Sequence, residues 1–178
     1  MVKITGKGLR LLRSLHLLGV IAWMGGSVCS FVLLLYSHWY VNCAVPDKMS
    51  LLFTFDLLEF IDFYIIITGA LATVFIGVIY AVFTNWGFIK TRWVAVKWVL
   101  SLAIIISGTI FYLPRIEQMR QMVFGQGLEA IDSPAYLGLN GELCLLLSVH
   151  LGLYLLMVFL SSWKPRLGQK TALPKQKS

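Results

Sequence analysis

Three ionisable side chains lie inside long apolar stretches of the sequence: His16, Lys97 and His150. An ionisable group in lipid is costly, so each is a candidate ligand or ion site. A histidine is also a common metal ligand, and burial in lipid favours the neutral imidazole that a metal needs. The alternatives are a hydrogen bond between helices for either histidine, and a lysine that extends its amine to the membrane surface.

The depth of these side chains in a membrane separates them into two groups. Measured from the nearest basic flanking residue, a rise of about 1.5 Å per residue puts His16 roughly 5 Å, Lys97 roughly 7 Å and His150 roughly 21 Å deep. His16 and Lys97 can therefore share one site. The histidines are about 16 Å apart along the membrane normal, too far to bind one heme iron together. His150 would belong to a second site.

Four segments can position these residues across a membrane. Each has the roughly 20 mostly apolar residues that cross about 30 Å of hydrocarbon, and they span residues 13–36, 60–83, 93–113 and 143–163. Backbone in lipid must satisfy its own hydrogen bonds, so the segments are predicted to be helices. Of the 178 residues, 58% are hydrophobic and 13% are charged, which excludes an ordinary soluble domain. The predicted fold is all-α, an integral membrane four-helix bundle in one domain, residues 1–163.

Charged residues are distributed unevenly between the two sides of this predicted bundle. Basic residues precede the first span, join the second to the third and follow the fourth, while all eight acids lie elsewhere. Because Lys and Arg gather on the cytoplasmic side of short loops, both termini are predicted to be cytoplasmic. The net charge of +7 would meet anionic lipid and does not indicate nucleic acid. Residues 164–178 are predicted to be a basic, disordered tail.

Small residues predict where the helices pack. A stripe in the second span consists of Gly69, Thr73, Gly77 and Ala81. Small side chains let helix backbones approach in lipid, so this stripe is predicted to face another helix. One face of the first span is made of His16, Gly19, Trp23 and Gly26. That face is either a second packing seam or a slot for a flat cofactor.

The connection after the third span has an amphipathic pattern. Ile116, Met119 and Val123 recur at helical spacing among polar residues. This pattern predicts a short helix lying on the membrane surface, as a lid or as a plain connector.

Two pairs of residues fall near the outer boundary of the predicted membrane. Glu59 and Asp62 lie at the outer edge of the second span and are predicted to be interfacial. Cys43 and Cys144 could pair in an oxidising compartment, whereas Cys29 lies inside a span.

Two short stretches resemble one family of small membrane proteins. Residues 15–26, LHLLGVIAWMGG, resemble the first helix of the HemJ-type protoporphyrinogen oxidases and the related CopD-like proteins, in which a histidine is followed one heptad later by Trp and then Gly. Residues 92–97, RWVAVK, resemble their third-helix motif of a Trp followed four residues later by Lys. HemJ-type proteins bind heme b and oxidise protoporphyrinogen. The resemblance implies a bacterial inner-membrane protein with His16 as a heme ligand and Lys97 as its functional partner.

The sequence departs from the HemJ pattern in the third helix. HemJ-type proteins carry a further Tyr and His there, whereas residues 107–112 read SGTIFY. The ending of the fourth span, SSWKP at 161–165, looks more like CopD-like proteins. The wider superfamily is therefore the predicted one, and whether the protein is an enzyme stays open.

Three classes of function follow from these residues. The favoured one is a heme b protein with a redox or electron-transfer role, acting with redox partner proteins or as a homo-oligomer. The alternatives are a HemJ-type protoporphyrinogen oxidase and a non-redox copper uptake or assembly protein. Paired-cysteine metal motifs and a phosphate-binding glycine loop are missing from the sequence, and its six methionines are scattered.

The favoured function assigns roles to six residues. His16 is predicted to be an axial ligand, and Lys97 a contact to a heme propionate or the second ligand. Gly19 and Gly26 would let the ring edge approach, with Trp23 packed against it. His150 would bind a second heme.

Overall fold

Long helices account for nearly all of the described chain. The computed structural model describes residues 6–43, 47–83 and 92–163. Its elements in chain order are α1 (Gly6–Cys43), α2 (Lys48–Ile61), a first π-helical segment (Asp62–Ile67), α3 (Thr68–Phe83), α4 (Arg92–Ser107), a second π-helical segment (Gly108–Tyr112), α5 (Leu113–Gln126), a 3-10 segment (Gly127–Asp132) and α6 (Pro134–Trp163). The predicted basic tail, residues 164–178, lies outside the described residues.

Four of these helical stretches are long and apolar enough to cross a membrane. They are Gly6–Tyr40, Lys48–Phe83, Arg92–Asp132 and Pro134–Trp163. Each contains one of the four predicted spans, so the all-α, four-helix prediction is confirmed. The protein is an integral membrane protein, because no other environment suits four such helices with most of their apolar side chains outward.

The second and third stretches are longer than a bilayer requires. They run for 36 and 41 residues, whereas about 20 residues cross the hydrocarbon. At a rise of about 1.5 Å per residue, the second stretch has roughly 25 Å to spare. The added length is α2 and α5, which lie at the end of the bundle opposite the start of α1. We call this end the distal end, and the end where α1 begins the basic end.

The helices at the distal end enclose an apolar core of their own. It includes Leu51, Phe55 and Leu58 of α2, Met119 and Val123 of α5, and Tyr136 and Leu143 of α6. The predicted short helix is present as α5, but its predicted position on the membrane surface is wrong, because it packs on α2. Ile116, Met119 and Val123 recur at helical spacing because they face α2, and they are at most 4% exposed.

Polar contacts on the outside of the distal end match a water-facing surface. Asp47 caps α2 by accepting a hydrogen bond from the Ser50 backbone N–H at 3.0 Å. Arg120 pairs with Asp56 across α2 and α5, with Nε and Oδ1 3.1 Å apart. Exposed ion pairs of this kind contribute about 0–1 kcal/mol each, so the apolar core holds this end together.

The α1 and α3 helices meet along the predicted stripe of small residues. A Cβ added at Gly69 would lie 2.6 Å from the backbone nitrogen of Trp23. A Cβ added at Gly19 would lie 2.8 Å from the Thr73 Oγ1. The prediction that Gly69 and Thr73 face another helix is confirmed, and that helix is α1.

Two predictions for the outer boundary have different outcomes. Glu59 is exposed, as an interfacial residue should be. Asp62 is only 6% exposed, so its predicted interfacial position is wrong: it begins the first π-helical segment and faces the bundle interior. Cys144 is a free thiol, and the side chain of Cys43 lies outside the described part of the chain.

Candidate cofactor cavity

A cavity of about 540 Å³ opens among the four helices at the basic end. α1 contributes His16 and Met24, α3 contributes Tyr80, α4 contributes Lys97 and α6 contributes Met157. Its volume lies in the range of sites for organic ligands, about 300–1,000 Å³. We call it the inner cavity.

His16 is placed in the inner cavity by the packing of α1 on α3. Its Nδ1 atom is buried and has no hydrogen-bond partner among the described residues. Its ring meets the Tyr80 ring edge to face, with centroids 5.8 Å apart, and lies beside the Thr73 backbone. Since buried polar groups are nearly always paired, this nitrogen and the equally bare Thr73 Oγ1 are unusual features of the cavity.

Lys97 reaches the same cavity from α4. Its Nζ donates a hydrogen bond to the Ser161 Oγ at 2.7 Å and lies 5.9 Å from the centre of the Trp93 ring. The amine is within electrostatic range of His16. Arg13, which is exposed, lies on the same lining. Two basic side chains and one imidazole thus share a cavity whose other walls are largely apolar and aromatic.

The deep wall of the inner cavity is held by contacts of α6 with α1 and α4. The Trp23 and Tyr154 rings pack edge to face with centroids 5.3 Å apart. The Tyr154 hydroxyl lies 3.1 Å from the Ser27 Oγ. Ser101 donates a hydrogen bond to the Met157 sulfur at 3.5 Å. These contacts hold the wall in place. The Met157 thioether and His16 face the same space.

Two predicted cofactor contacts lie in a packing seam instead. Gly19 packs against Thr73, and a Cβ at Gly26 would lie 2.7 Å from the Ile66 Cγ1. Both glycines are buried by this contact with the second helical stretch. Of the two interpretations that the sequence left open for this face, the structure favours the seam for the glycines, while His16 and Trp23 reach the inner cavity.

His150 lies apart from the inner cavity. Its Nε2 atom is 2.8 Å from the Ser107 Oγ of α4, and the residue is 5% exposed. The structure therefore places it in a hydrogen bond between two helices, which was the alternative to its predicted role as a ligand.

Sequence reasoning passed over several residues of the inner cavity. Tyr80 lies seven residues after Thr73, on the same face of α3, so helical spacing from the small-residue stripe would have found it. Trp98 and Ser101 gave no comparable signal, because both are ordinary residues of a membrane helix. Only the packing of α4 against the other helices brings them to the cavity.

The fold and the cavity together define a class: an integral membrane four-helix bundle with a largely apolar cavity, bearing basic side chains, between the helices at its basic end. No protein-family model, curated protein or solved structure matches the chain.

Proposed function

We propose that this protein binds heme b in the inner cavity and has a redox role in the membrane. The observation that carries the proposal is the buried, unpartnered Nδ1 of His16 in a largely apolar cavity. A neutral imidazole with a free lone pair is a preferred ligand for heme iron. Its neighbours Tyr80 and Thr73 hold the ring from one side.

The donor set favours a macrocycle over a bare metal ion. Among the described residues, no group of three or more His, Cys, Asp and Glu side chains could hold a metal ion. One histidine supplies too few ligands for a bare metal ion, whereas a porphyrin would bring four pyrrole nitrogens of its own. Heme therefore suits the cavity better than a metal ion held by His, Cys, Asp and Glu side chains does. The Met24 and Met157 thioethers line the same cavity and are soft donors.

Basic residues at the cavity support the binding of carboxylates. Lys97 and Arg13 line it together with the Ser161 hydroxyl. The propionates of a heme are anionic, and charge-assisted hydrogen bonds to them are stronger than neutral ones. This arrangement suits a flat, amphipathic ligand with two negative charges. Its ring would lie against Trp23 and its carboxylates would point toward Lys97. Bound heme would supply one-electron chemistry, and the protein would supply burial, orientation and axial ligation.

The same basic residues also support the oxidation of protoporphyrinogen as a second candidate function. A porphyrinogen has the same pair of carboxylates, so Lys97 and Arg13 would position it in the same way. Restored growth of a strain that lacks this oxidation step would establish the enzyme. If the parent protein restores growth and Lys97→Ala does not, the oxidase activity depends on the cavity.

We further propose that the basic end faces the cytoplasm of a bacterial inner membrane, with both termini on that side. The support is the position of Arg13 and Arg92 at the start of α1 and α4. Heme in the inner cavity would then lie near the cytoplasmic surface, within reach of a redox partner protein or of a second copy of this chain.

An absorption spectrum of the purified protein, before and after reduction with dithionite, tests the heme proposal. We expect a heme b spectrum in the parent, and loss of at least half of the heme in His16→Ala with normal membrane insertion. His38→Ala is the matched control, because His38 lies at the distal end and bonds Asn140. It should keep the parent spectrum.

The outcomes separate the alternatives. A His16→Ala protein with full heme content would contradict the assignment of His16 as the ligand. Purified protein with copper and no tetrapyrrole would favour the copper-handling class. A heme content that falls by half in His150→Ala, with His16 intact, would restore His150 as the ligand of a second heme.

A further inference from the structure

Deeper in the bundle, a second group of polar side chains is buried. It consists of Ser27, Ser30, Asp62, Tyr112 and Tyr154, and each is at most 6% exposed. We call this group the polar layer. α1, both π-helical segments and α6 contribute to it. The inner cavity shares only Tyr154 with it.

Asp62 is the buried carboxylate of the described chain. The ion pairs between described residues join Arg115 to Glu142, and Arg120 to Asp56 and Glu117, at the distal end. A carboxylate removed from water without a basic partner is strongly unfavourable, so such a group takes up a proton. Among intramembrane residues, acids of this kind commonly belong to proton pathways.

The titratable groups that face Asp62 come from two neighbouring elements. The hydroxyls of Tyr112 and Tyr154 lie within electrostatic range of its carboxyl group. His150 of α6 is bonded to Ser107, and α1 contributes the buried Ser27 and Ser30 and the exposed Cys29. The charge of Asp62 is therefore not compensated by a described neighbour, and its protonation is set by access to water.

The backbone departs from regular α-helix where these groups meet. Asp62 begins the first π-helical segment and Tyr112 ends the second. π-helical turns are rare and are found frequently at functional sites. The hydroxyls of Ser30 and Tyr112 face each other, and neither bonds any other group in the described chain. Two hydroxyls that face each other beside a buried acid, with no other partner in the described chain, are suited to pass protons.

The polar layer leads toward the inner cavity. Ser27 lies one helical turn below Ser30 on the same face of α1. Its Oγ is 3.1 Å from the Tyr154 hydroxyl, and Tyr154 lines the inner cavity. On the distal side the path is closed, because the side chains of Leu34, Phe55 and Leu58 are completely buried in the apolar core.

We propose that Asp62 is a proton-binding group that exchanges protons with the inner cavity through the hydroxyls of the polar layer. In each step a hydroxyl accepts one proton and releases one, so no hydroxyl keeps a charge. When Asp62 gives up its proton, the proton leaves through Tyr154 to the cavity and a carboxylate remains. The layer thereby stores one proton for the ligand that the cavity holds.

Infrared spectroscopy of the full chain in lipid nanodiscs, without heme, tests this proposal. The parent should show the C=O stretching band of a protonated carboxylic acid, shifted by transfer to D₂O. Asp62→Asn should lose the band and Glu59→Gln, one turn away and exposed, should keep it. Ser27→Ala should slow the D₂O shift about tenfold, equivalent to about 1.4 kcal/mol in barrier. Ser148→Ala, whose hydroxyl bonds only the Cys144 carbonyl of its own helix, should not slow it.

Two results would overturn the proposal. One is the absence of the band in the parent, or its survival in Asp62→Asn. The other is an equal rate of the D₂O shift in Ser27→Ala and Ser148→Ala, which would separate Asp62 from the path. The two serine variants both retain Asp62. Their comparison therefore decides the proposal even if Asp62→Asn does not fold. Because no heme is present, the result is independent of the proposed heme site.

Discussion

The three histidines of this protein have three different environments, and only one of these suits a ligand. His150 bonds Ser107 and His38 bonds Asn140, both between helices. The His16 Nδ1 atom is buried without a partner in the described chain. Identical side chains thus have different chemistry available, because a ring nitrogen already held in a hydrogen bond is not free for a metal.

Lys97 gives a prediction at the residue scale. Lys97→Ala should weaken heme binding about tenfold, because a charge-assisted hydrogen bond is worth about 1.5–3 kcal/mol and Arg13 remains at the cavity. Titration of the heme-free protein with hemin measures the dissociation constant. Lys97→Arg should bind nearly as well as the parent, and Lys48→Ala, at the distal end, should not differ from it. An unchanged constant in Lys97→Ala would remove Lys97 from the site.

At the scale of the elements, the seam between α1 and α3 positions His16 against Tyr80. Gly69 allows the two backbones to touch, since a Cβ there would lie 2.6 Å from the Trp23 nitrogen. A backbone atom cannot move aside as a flexible side chain can. The cavity therefore depends on a glycine that does not line it.

The seam predicts opposite effects for two glycine substitutions. Gly69→Ala should destabilise the bundle by about 1–3 kcal/mol through overpacking. Gly152→Ala should be neutral or slightly stabilising, because a Cβ there meets nothing within 4 Å and alanine favours helix by about 0.5–1 kcal/mol. Thermal unfolding in detergent, followed by circular dichroism, compares the two variants. Equal stability of both would contradict this packing.

The N-terminus of α2 predicts a dependence of stability on pH. The hydrogen bonds from the Ser50 backbone and hydroxyl hold the pKa of Asp47 below its ordinary value. Folding thus favours the ionised form, and this stabilisation is complete above the ordinary carboxyl pKa and is lost as pH falls through the lowered one.

Asp47→Asn tests that cap without removing it, since asparagine caps helices as well as aspartate does. As pH falls from about 5 to about 2, the parent should lose stability relative to Asp47→Asn. Any advantage that the parent has at about pH 5 should therefore shrink, and the variant can become the more stable protein. Unfolding midpoints of both proteins at several pH values measure it. A difference that stays constant over this range would show that the cap does not titrate.

At the scale of the whole molecule, the four helices form two stacked regions. The half toward the basic end holds the inner cavity, and the distal end has an apolar core that includes Phe55, Met119 and Tyr136. The helices that carry this core are too long to end at a membrane surface. The distal end therefore projects into water with the ion pairs of Arg115 and Arg120 on its outside.

The projecting distal end gives a test of orientation. A reporter enzyme that is active only outside the cytoplasm should be inactive when fused after Ser178 and active when inserted after Gly125, an exposed glycine at the end of α5. The reason is the gathering of Arg and Lys at the opposite end. If only the Ser178 fusion were active, the topology would be the reverse of the proposed one.

The sequence by itself determined the number of helices, their approximate positions and the depth of the key side chains. Apolar length is a local property, and a helix rises by a constant amount per residue, so both can be read without knowing any contact. This is why His16 and Lys97 were expected at one depth. The small-residue stripe through Gly69 and Thr73 was also readable, because helical periodicity shows which residues share a face.

The tertiary structure decided which faces meet, and so the cavity itself. Periodicity shows that Ile116, Met119 and Val123 share a face, but lipid and a neighbouring helix satisfy an apolar face equally well. Likewise, the first-span face that bears Gly19 was suited to a cofactor or to a helix until α3 was placed against it. Asp62 shows the same limit, since its burial depends on helices far away in the sequence that surround it.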